Sequence, residues 1–135
     1  MAMLAWKESY SVGIKTLDDQ HKRLLELVNQ LSVLNPGAPD KKEIFSVLNA
    51  LVVYAQTHFD TEEEYLKKYD YPRLIQQQRE HVTFVADVFR LAKELEQNEP
   101  RIHRKVSDFV SDWYGSHILG TDREYKDFLR AKGAT

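Results

Sequence analysis

Three short stretches that contain proline divide the chain into long segments with few helix-breaking residues. They read NPGAPD at 35–40, YDYPR at 69–73 and QNEPR at 97–101. Because proline and glycine end or interrupt helices, this spacing predicts four helices, over 17–34, 40–69, 73–97 and 100–119, and a short fifth over 121–130. Thr16 or Asp18 is the expected N-terminal cap of the first helix, and Asp40 that of the second. Pro100 is expected in the first turn of the fourth.

Apolar residues recur at helical spacing within each predicted helix. In the first helix they are Leu17, Leu24, Leu25, Val28 and Leu31, and the other three carry equivalent stripes. Four amphipathic helices joined by short connections are typical of an antiparallel up-down-up-down bundle. The sequence therefore predicts an all-α four-helix bundle with an irregular N-terminal arm, formed by one domain over residues 1–135.

Composition narrows the classes of function. The chain has no cysteine, which excludes disulfides, thiolate metal sites and covalently attached haem, so any metal must be held by nitrogen and oxygen. A net charge of −2, from 19 basic and 21 acidic residues, does not indicate a nucleic-acid partner. The N-terminal stretch MAMLAWKESYSVG turns polar too soon for a secretory leader, and no apolar run is long enough to span a bilayer. A cytoplasmic monomer is the expectation.

Six polar residues occupy gaps in the apolar stripes. They are His21, His58, Glu62, Gln77, His81 and His117. In an up-down-up-down bundle, the start of helix one, the end of helix two, the start of helix three and the end of helix four lie at one end. The six side chains are therefore expected to meet in one buried layer. Burying such groups is costly unless a charge or a metal compensates them.

Spacing within this layer favours a metal site. His58 and Glu62 lie four residues apart, which places an imidazole and a carboxylate on one helix face. Asp122 follows His117 by five residues across Gly120, so the helix must loosen or end there, and the glycine is expected to make this possible. Imidazoles and carboxylates suit a pair of first-row ions such as iron, whose charge the carboxylates and a bridging hydroxide nearly neutralise.

Other interpretations of these residues remain open at this point. A single inward histidine is most often a hydrogen-bonded core residue, and several could form a metal-free polar network. His103 is expected at the opposite end of the bundle, off the apolar stripe and solvated. Glu63 and Glu64, which follow Glu62, are expected on a solvated helix face. The inward aromatic residues are expected to be core residues first.

Four motifs extend over nearly the whole chain: DDQHKRLLELVNQL, THFDTEEEYL, the EH that follows YP, and WYGSHILGTDREY. Together they resemble the hemerythrins, specifically the single-domain bacterial kind. The resemblance implies two non-haem iron ions joined by an oxo or hydroxo bridge. It implies that His21 and His58 bind one iron, and that His117 and the residues of helix three bind the other. By the same resemblance, Glu62 and Asp122 bridge the two ions.

The resemblance also implies that O2 is the ligand. The iron held by His21 and His58 would keep an open position at which O2 binds reversibly, with the proton supplied by the bridging hydroxide. The residues that match the apolar pocket of the family are Leu24, Phe59, Trp113, Tyr114 and Ile118. A dry lining would slow irreversible oxidation of the iron.

Gln77 departs from the family pattern, which has a histidine at this position. Gln76 and Gln78 cannot take its place, because each lies about 100° around the helix. The amide oxygen of Gln77 reaches about as far as an imidazole nitrogen and is also neutral, so it can be a ligand, although water could also occupy the position. An amide oxygen is the poorer donor, which predicts a more weakly held iron beside His81 and His117.

Three hypotheses for function follow. The favoured one is reversible O2 binding for storage, delivery or sensing. The second is a di-iron redox enzyme, in which an exchangeable position at Gln77 allows peroxidase-like or nitric-oxide-handling activity. The third is a bundle that holds little or no metal and serves as an interaction module.

Overall fold

A computed structural model describes residues 4–34 and 40–135 of the chain. Its long helices are α1 (Lys15–Val33), α2 (Lys41–Lys68), α3 (Leu74–Glu96) and α4 (Ile102–Trp113), and α4 continues as a π-helical segment, Tyr114–Thr121. A 3₁₀ turn (Asp122–Tyr125) and the short helix α5 (Lys126–Ala131) follow, and another 3₁₀ turn (Glu8–Tyr10) lies in the N-terminal arm. The described residues contain no strand.

The four long helices form a bundle in which α1 packs on α2, α2 on α3, α3 on α4 and α4 back on α1. The predicted all-α four-helix bundle is therefore confirmed. None of the helices in the described part of the chain combines the length and apolar character that a membrane span requires.

The ends of the helices depart from prediction in two places. Helix α1 begins at Lys15 with Ile14 as a cap that makes no side-chain hydrogen bond, so the expected caps Thr16 and Asp18 are wrong. Instead, the Asp18 carboxylate accepts hydrogen bonds from the backbone N–H of Val12, at 2.8 Å, and from the Ser11 hydroxyl, at 2.5 Å. Asp18 therefore fixes the N-terminal arm against α1.

The second departure is at the start of α4. Pro100 precedes the helix and does not lie in its first turn, because Arg101 takes a left-handed conformation with φ of 63°. A residue with positive φ cannot continue a right-handed helix, so α4 starts after it.

The cap of α2 is confirmed: the Asp40 side chain accepts a hydrogen bond from the N–H of Lys42 at 2.8 Å. The expected break at 35–40 falls mostly on residues outside the described ranges.

Apolar side chains form two buried clusters along the bundle. The larger fills the space between the four long helices and includes Leu24 and Phe59. The smaller contains Leu17 and Leu66 together with residues of the N-terminal arm, the 3₁₀ turn and α5. The polar layer lies between the two clusters, because His21 falls between Leu17 and Leu24 and Glu62 falls between Phe59 and Leu66 along their helices.

His103, near the start of α4, is not solvated as expected. It is 8% exposed, and its Nε2 lies 3.0 Å from the backbone carbonyl oxygen of Leu31, which can only accept a hydrogen bond. A helix-end carbonyl without an intrahelical partner explains this pairing, because α1 ends two residues after Leu31.

Candidate metal centre

The structure brings the inward polar residues and Asp122 into one buried layer. All are at most 3% exposed: His21, His58, Glu62, Gln77, His81, His117 and Asp122. The histidines and carboxylates among them form two groups, and within each group the potential ligand atoms lie within 4.8 Å of one another. The first group is His21, His58, Glu62 and Asp122, and the second is Glu62, His81 and His117. Glu62 belongs to both groups.

Each carboxylate directs one oxygen to each pair of histidines. Glu62 Oε2 lies 3.2 Å from His58 Nε2 and 3.6 Å from His21 Nε2, and Glu62 Oε1 lies 2.9 Å from His81 Nε2. Asp122 Oδ2 lies 3.2 Å from His21 Nε2. The other Asp122 oxygen, Oδ1, lies 3.1 Å from Nε2 of His117, on the opposite side. This is the arrangement expected of carboxylates that bridge two ions.

The π-helical segment is what brings Asp122 to the layer. Its final N–H, that of Asp122, bonds to the carbonyl of His117 five residues earlier, so that both side chains face inward. The expected loosening of the helix is therefore present. Glycine at 120 is not required for it, because φ of Gly120 is not positive and an added Cβ would meet only Gly115 O at 3.7 Å.

Three of the four histidines in the layer have a partner that fixes the orientation of the ring. His58 Nδ1 lies 2.7 Å from Gln20 Oε1, whose amide nitrogen in turn donates to Thr61. A carbonyl oxygen only accepts, so His58 Nδ1 carries the proton and the lone pair of Nε2 faces the carboxylates.

The other two partners are carboxylates. His81 Nδ1 lies 2.7 Å from Glu63 Oε2, and His117 Nδ1 lies 3.1 Å from Glu80 Oε1. Because Nδ1–H donates to these carboxylates, Nε2 of each ring faces Glu62 or Asp122 and is the nitrogen that a metal would take, as in metal-binding histidines generally. The expectation that Glu63 is an ordinary solvated residue is therefore wrong, while Glu64 is exposed as expected.

Sequence reasoning missed Gln20, Glu80 and the role of Glu63. All three immediately adjoin an inward polar residue in the sequence, so each lies at the border of the inner face of its helix. A polar residue at that border, next to an inward histidine or carboxylate on its own helix, is the signal that could have identified them.

Two tyrosines complete the surroundings of the layer. The Tyr125 hydroxyl donates to Glu62 Oε2 at 2.9 Å, and the Tyr114 hydroxyl donates to the backbone carbonyl of His21 at 2.9 Å. Burial and the charge of Glu62 raise the pKa of Tyr125 well above its usual range, so this hydroxyl stays protonated and remains a donor.

Carboxylates control the protonation of the buried rings when no metal is present. Burial lowers the pKa of His21, but the adjacent Asp122 and Glu62 outweigh it and raise this pKa to about 9. Burial is likewise outweighed at His117, where Asp122 and Glu62 raise the pKa to about 10. For His58, burial dominates and lowers the pKa. Protons on two of the rings thus balance two buried carboxylates in the metal-free protein.

The pKa values of the two buried carboxylates, Glu62 and Asp122, shift in opposite directions. Burial alone would raise the pKa of Glu62, but His58 and the other imidazoles around it hold this pKa well below its usual range. Burial and the charge of Glu62 raise the pKa of Asp122. Glu62 is therefore the more firmly ionised of the pair.

Aromatic and aliphatic side chains enclose the layer. The five residues predicted to line an apolar pocket are all buried: Leu24, Phe59, Trp113, Tyr114 and Ile118. Phe59 stacks on His81 with ring centroids 3.9 Å apart, and Trp113 stacks on His117 at 5.3 Å. The two aromatic rings therefore lie against the histidines of α3 and the π-helical segment.

Gln77 is buried in the same layer, at 1% exposure, and neither its amide oxygen nor its amide nitrogen makes a hydrogen bond with a described residue. Gln76 and Gln78 are exposed, as expected. A buried amide without partners is unfavourable unless something absent from the polypeptide satisfies it.

The residues present fit a pair of metal ions. The donor atoms are all nitrogen and oxygen, and the carboxylates reach both groups of histidines. Gln77 and Asp122 also have buried polar atoms that make no hydrogen bond with any described residue. First-row ions such as iron accept this mixture of imidazole and carboxylate. The buried cluster fits a non-haem di-iron site.

Comparisons with known proteins agree with this geometry. The sequence model of the hemerythrin HHE cation-binding domain matches residues 12–129. The chain is 35% identical to a bacteriohemerythrin of Clostridium acetobutylicum over 93% of this chain and 100% of the relative. It is 30% identical to a bacteriohemerythrin of Stenotrophomonas maltophilia over 97% of this chain and 84% of the relative. A crystal structure of wild-type hemerythrin superposes with a TM-score of 0.82 at 28% identity, over 93% of this chain and 97% of the other. The chain belongs to the hemerythrin family.

Proposed function

We propose that this chain is a non-haem di-iron protein that binds O2 reversibly, for storage, delivery or sensing. In this proposal, His21 and His58 hold one iron, and His81, His117 and Gln77 hold the other. Glu62 and Asp122 bridge the two ions, together with an oxo or hydroxo group.

The observation that carries the proposal is the position of the two carboxylates between two pairs of imidazoles. Glu62 lies within 3.2 Å of His58 through one oxygen and within 2.9 Å of His81 through the other. One metal ion would leave half of these donors unused in a fully buried layer. Two ions use both sides of each carboxylate and neutralise buried negative charge.

Iron held by these residues would supply reversible electron transfer to O2, and the polypeptide provides the surroundings of the metal site. Gln20, Glu63 and Glu80 hold the Nδ1 protons of their histidines, which keeps each Nε2 aimed at the centre. Tyr125 orients the Glu62 carboxylate through its hydrogen bond. The buried pocket residues exclude water, which favours release of O2 over irreversible oxidation.

We also propose that the protein works in the cytoplasm as a monomer and that its ligand is a dissolved gas. The proposal of a gaseous ligand is supported by the buried apolar side chains around the layer, which admit a small uncharged molecule more readily than a charged one. Analytical ultracentrifugation of the iron-loaded protein tests the oligomeric state: a dimer would contradict the proposal.

Visible absorption of the iron-loaded protein, recorded under O2 and after its removal, tests the function. The expected result is an oxygenated band that disappears when O2 is removed and returns when it is readmitted, over repeated cycles. A spectrum that decays once to an oxidised form and does not recover would contradict reversible binding. Such decay accompanied by turnover of peroxide would favour the redox enzyme instead.

A further inference from the structure

The two halves of the buried layer offer different sets of donor atoms. The half formed by α1 and α2 has His21 and His58 with one oxygen from each bridging carboxylate. The half formed by α3 and the π-helical segment has His81 and His117 with the other two oxygens. Among the described residues, only the second half has a further buried side-chain amide, that of Gln77, one helical turn before His81.

Gln77 has no other role among the described residues. Both atoms of its amide are buried and make no hydrogen bond, although an amide can donate two and accept two. If this position only had to be filled, an apolar side chain would fill it without the free-energy cost of burying an amide that makes no hydrogen bond. The unsatisfied amide, in the same layer as the histidines, therefore indicates a ligand outside the polypeptide.

We propose that Gln77 makes the α3 side of the centre an oxygen-rich position that accepts a hard divalent cation such as Mn²⁺ more readily than the α1 side does. This inference rests on the proposed di-metal function. The α3 position has two imidazole nitrogens and three oxygens, whereas the α1 position has two nitrogens and two oxygens. Carbonyl and carboxylate oxygens suit Mn²⁺, while imidazole suits iron. The extra amide oxygen of Gln77 therefore reduces the preference for iron over Mn²⁺ at the α3 position and not at the α1 position.

The consequence is a centre whose two ions need not be the same. Iron binds the α1 position, and the ion in the α3 position depends on which divalent cations are available. Because an amide oxygen is a poorer donor than an imidazole nitrogen, this second ion also exchanges more readily.

Competitive loading tests the proposal on the whole chain. The metal-free protein is equilibrated without O2 in solutions containing both Fe²⁺ and an excess of Mn²⁺. Metal content per chain is then measured by mass spectrometry, and bound Mn²⁺ by electron paramagnetic resonance. The expected result for the unmodified protein is a mixed centre, with bound Mn²⁺ that approaches one ion per chain and does not exceed it.

Variants at two adjacent glutamines, Gln77 and Gln78, identify the residue responsible. Q77H should lower the Mn²⁺-to-Fe²⁺ ratio at least tenfold while keeping two metals per chain, because an imidazole replaces the amide oxygen. Q77L leaves the α3 position with two nitrogens and two oxygens, the same donors as the α1 position, and should therefore also lower the Mn²⁺-to-Fe²⁺ ratio. Q78H places the same imidazole on the exposed neighbour and should match the unmodified protein.

The possible results separate the inference from the function. Two irons per chain with no bound Mn²⁺, or an unchanged metal ratio in both Q77H and Q77L, would overturn the role of Gln77 and leave the di-iron function standing. Failure of the unmodified protein to bind any metal would overturn both. A circular dichroism spectrum that matches that of the unmodified protein shows that Q77L is folded, so that a change in its metal ratio reports on the site.

Discussion

His117 and Asp122 lie five residues apart on a π-helical segment, and Nε2 of His117 lies 3.1 Å from Oδ1 of Asp122. An α-helix brings together residues three or four apart, so these two side chains could not both face the centre if α4 continued unchanged. The wider turn places the imidazole of His117 and the carboxylate of Asp122 on the same side of the helix, facing the buried layer.

The first prediction concerns Gly120 in this segment. Because an added methyl group would contact only Gly115 O at 3.7 Å, G120A should fold and retain its metals. Loss of glycine flexibility in the unfolded chain should raise the free energy of unfolding by up to about 1 kcal/mol. Urea denaturation and metal analysis check this. A clear loss of stability or of metal would show that the π-helical segment depends on glycine.

The second prediction concerns Glu62, the carboxylate shared by both groups of ligands. E62A should lose both metal ions, because each position loses an oxygen donor and the negative charge that balances it. E64A removes an exposed carboxylate two residues along the same helix and should bind metal normally. Metal analysis after dialysis measures both. Full loading of E62A would refute the shared role.

The third prediction concerns the residues that hold the histidine rings. E63A removes the acceptor of the His81 Nδ1 proton, and E80A removes that of His117. Each should weaken metal binding about 10- to 100-fold, the usual effect of losing a partner that orients a metal-binding histidine. Titration calorimetry with Fe²⁺ in the absence of O2 gives the affinity. Values equal to those of E64A would mean that packing alone orients the rings.

The fourth prediction is the pH dependence of the metal-free protein. Its folded state raises the pKa of His21 to about 9 and that of His117 to about 10, above the value of about 6.5 expected in the unfolded chain. The stability that these groups contribute is therefore fully present below pH ~6.5 and is lost as the pH rises through 9 and 10.

At acid pH, the stability of the metal-free protein depends on Glu62, whose pKa is held below its usual range. The stability that Glu62 contributes is lost as the pH falls through that lowered pKa.

Urea denaturation between pH 6 and 10 should show that the stability of the metal-free protein declines as the pH rises. The metal-loaded protein should decline far less, because metal replaces the protons on the rings. Parallel curves for both forms would contradict this account of the buried charges.

Much of the candidate metal centre could be predicted from the sequence, because the position of a residue along its helix fixes the face and the level of the bundle at which its side chain lies. His58 and Glu62 share a face at the spacing of one turn, and the topology of a bundle then brings His21 and His81 to the same level. A polar residue in an apolar stripe is conspicuous, which is why the buried position of Gln77 and the exposure of its neighbours were predictable.

Features that depend on tertiary contacts were not predictable in this way. Glu63 reaches His81 only because α2 and α3 pack side by side, and its position next to Glu62 does not by itself identify this partner on another helix. The start of α4 depends on the left-handed backbone of Arg101, which overrides the preference of proline for a first turn. His103 is buried because a carbonyl at the end of α1 needs a donor.

Anomalous X-ray diffraction at the iron absorption edge, from crystals of the iron-loaded protein, tests the central claim most directly. Two anomalous peaks are predicted in the buried layer, one beside His21 and His58 and one beside His81 and His117, with Glu62 and Asp122 in contact with both. A single peak, or two peaks that share neither carboxylate, would contradict the proposed di-iron centre.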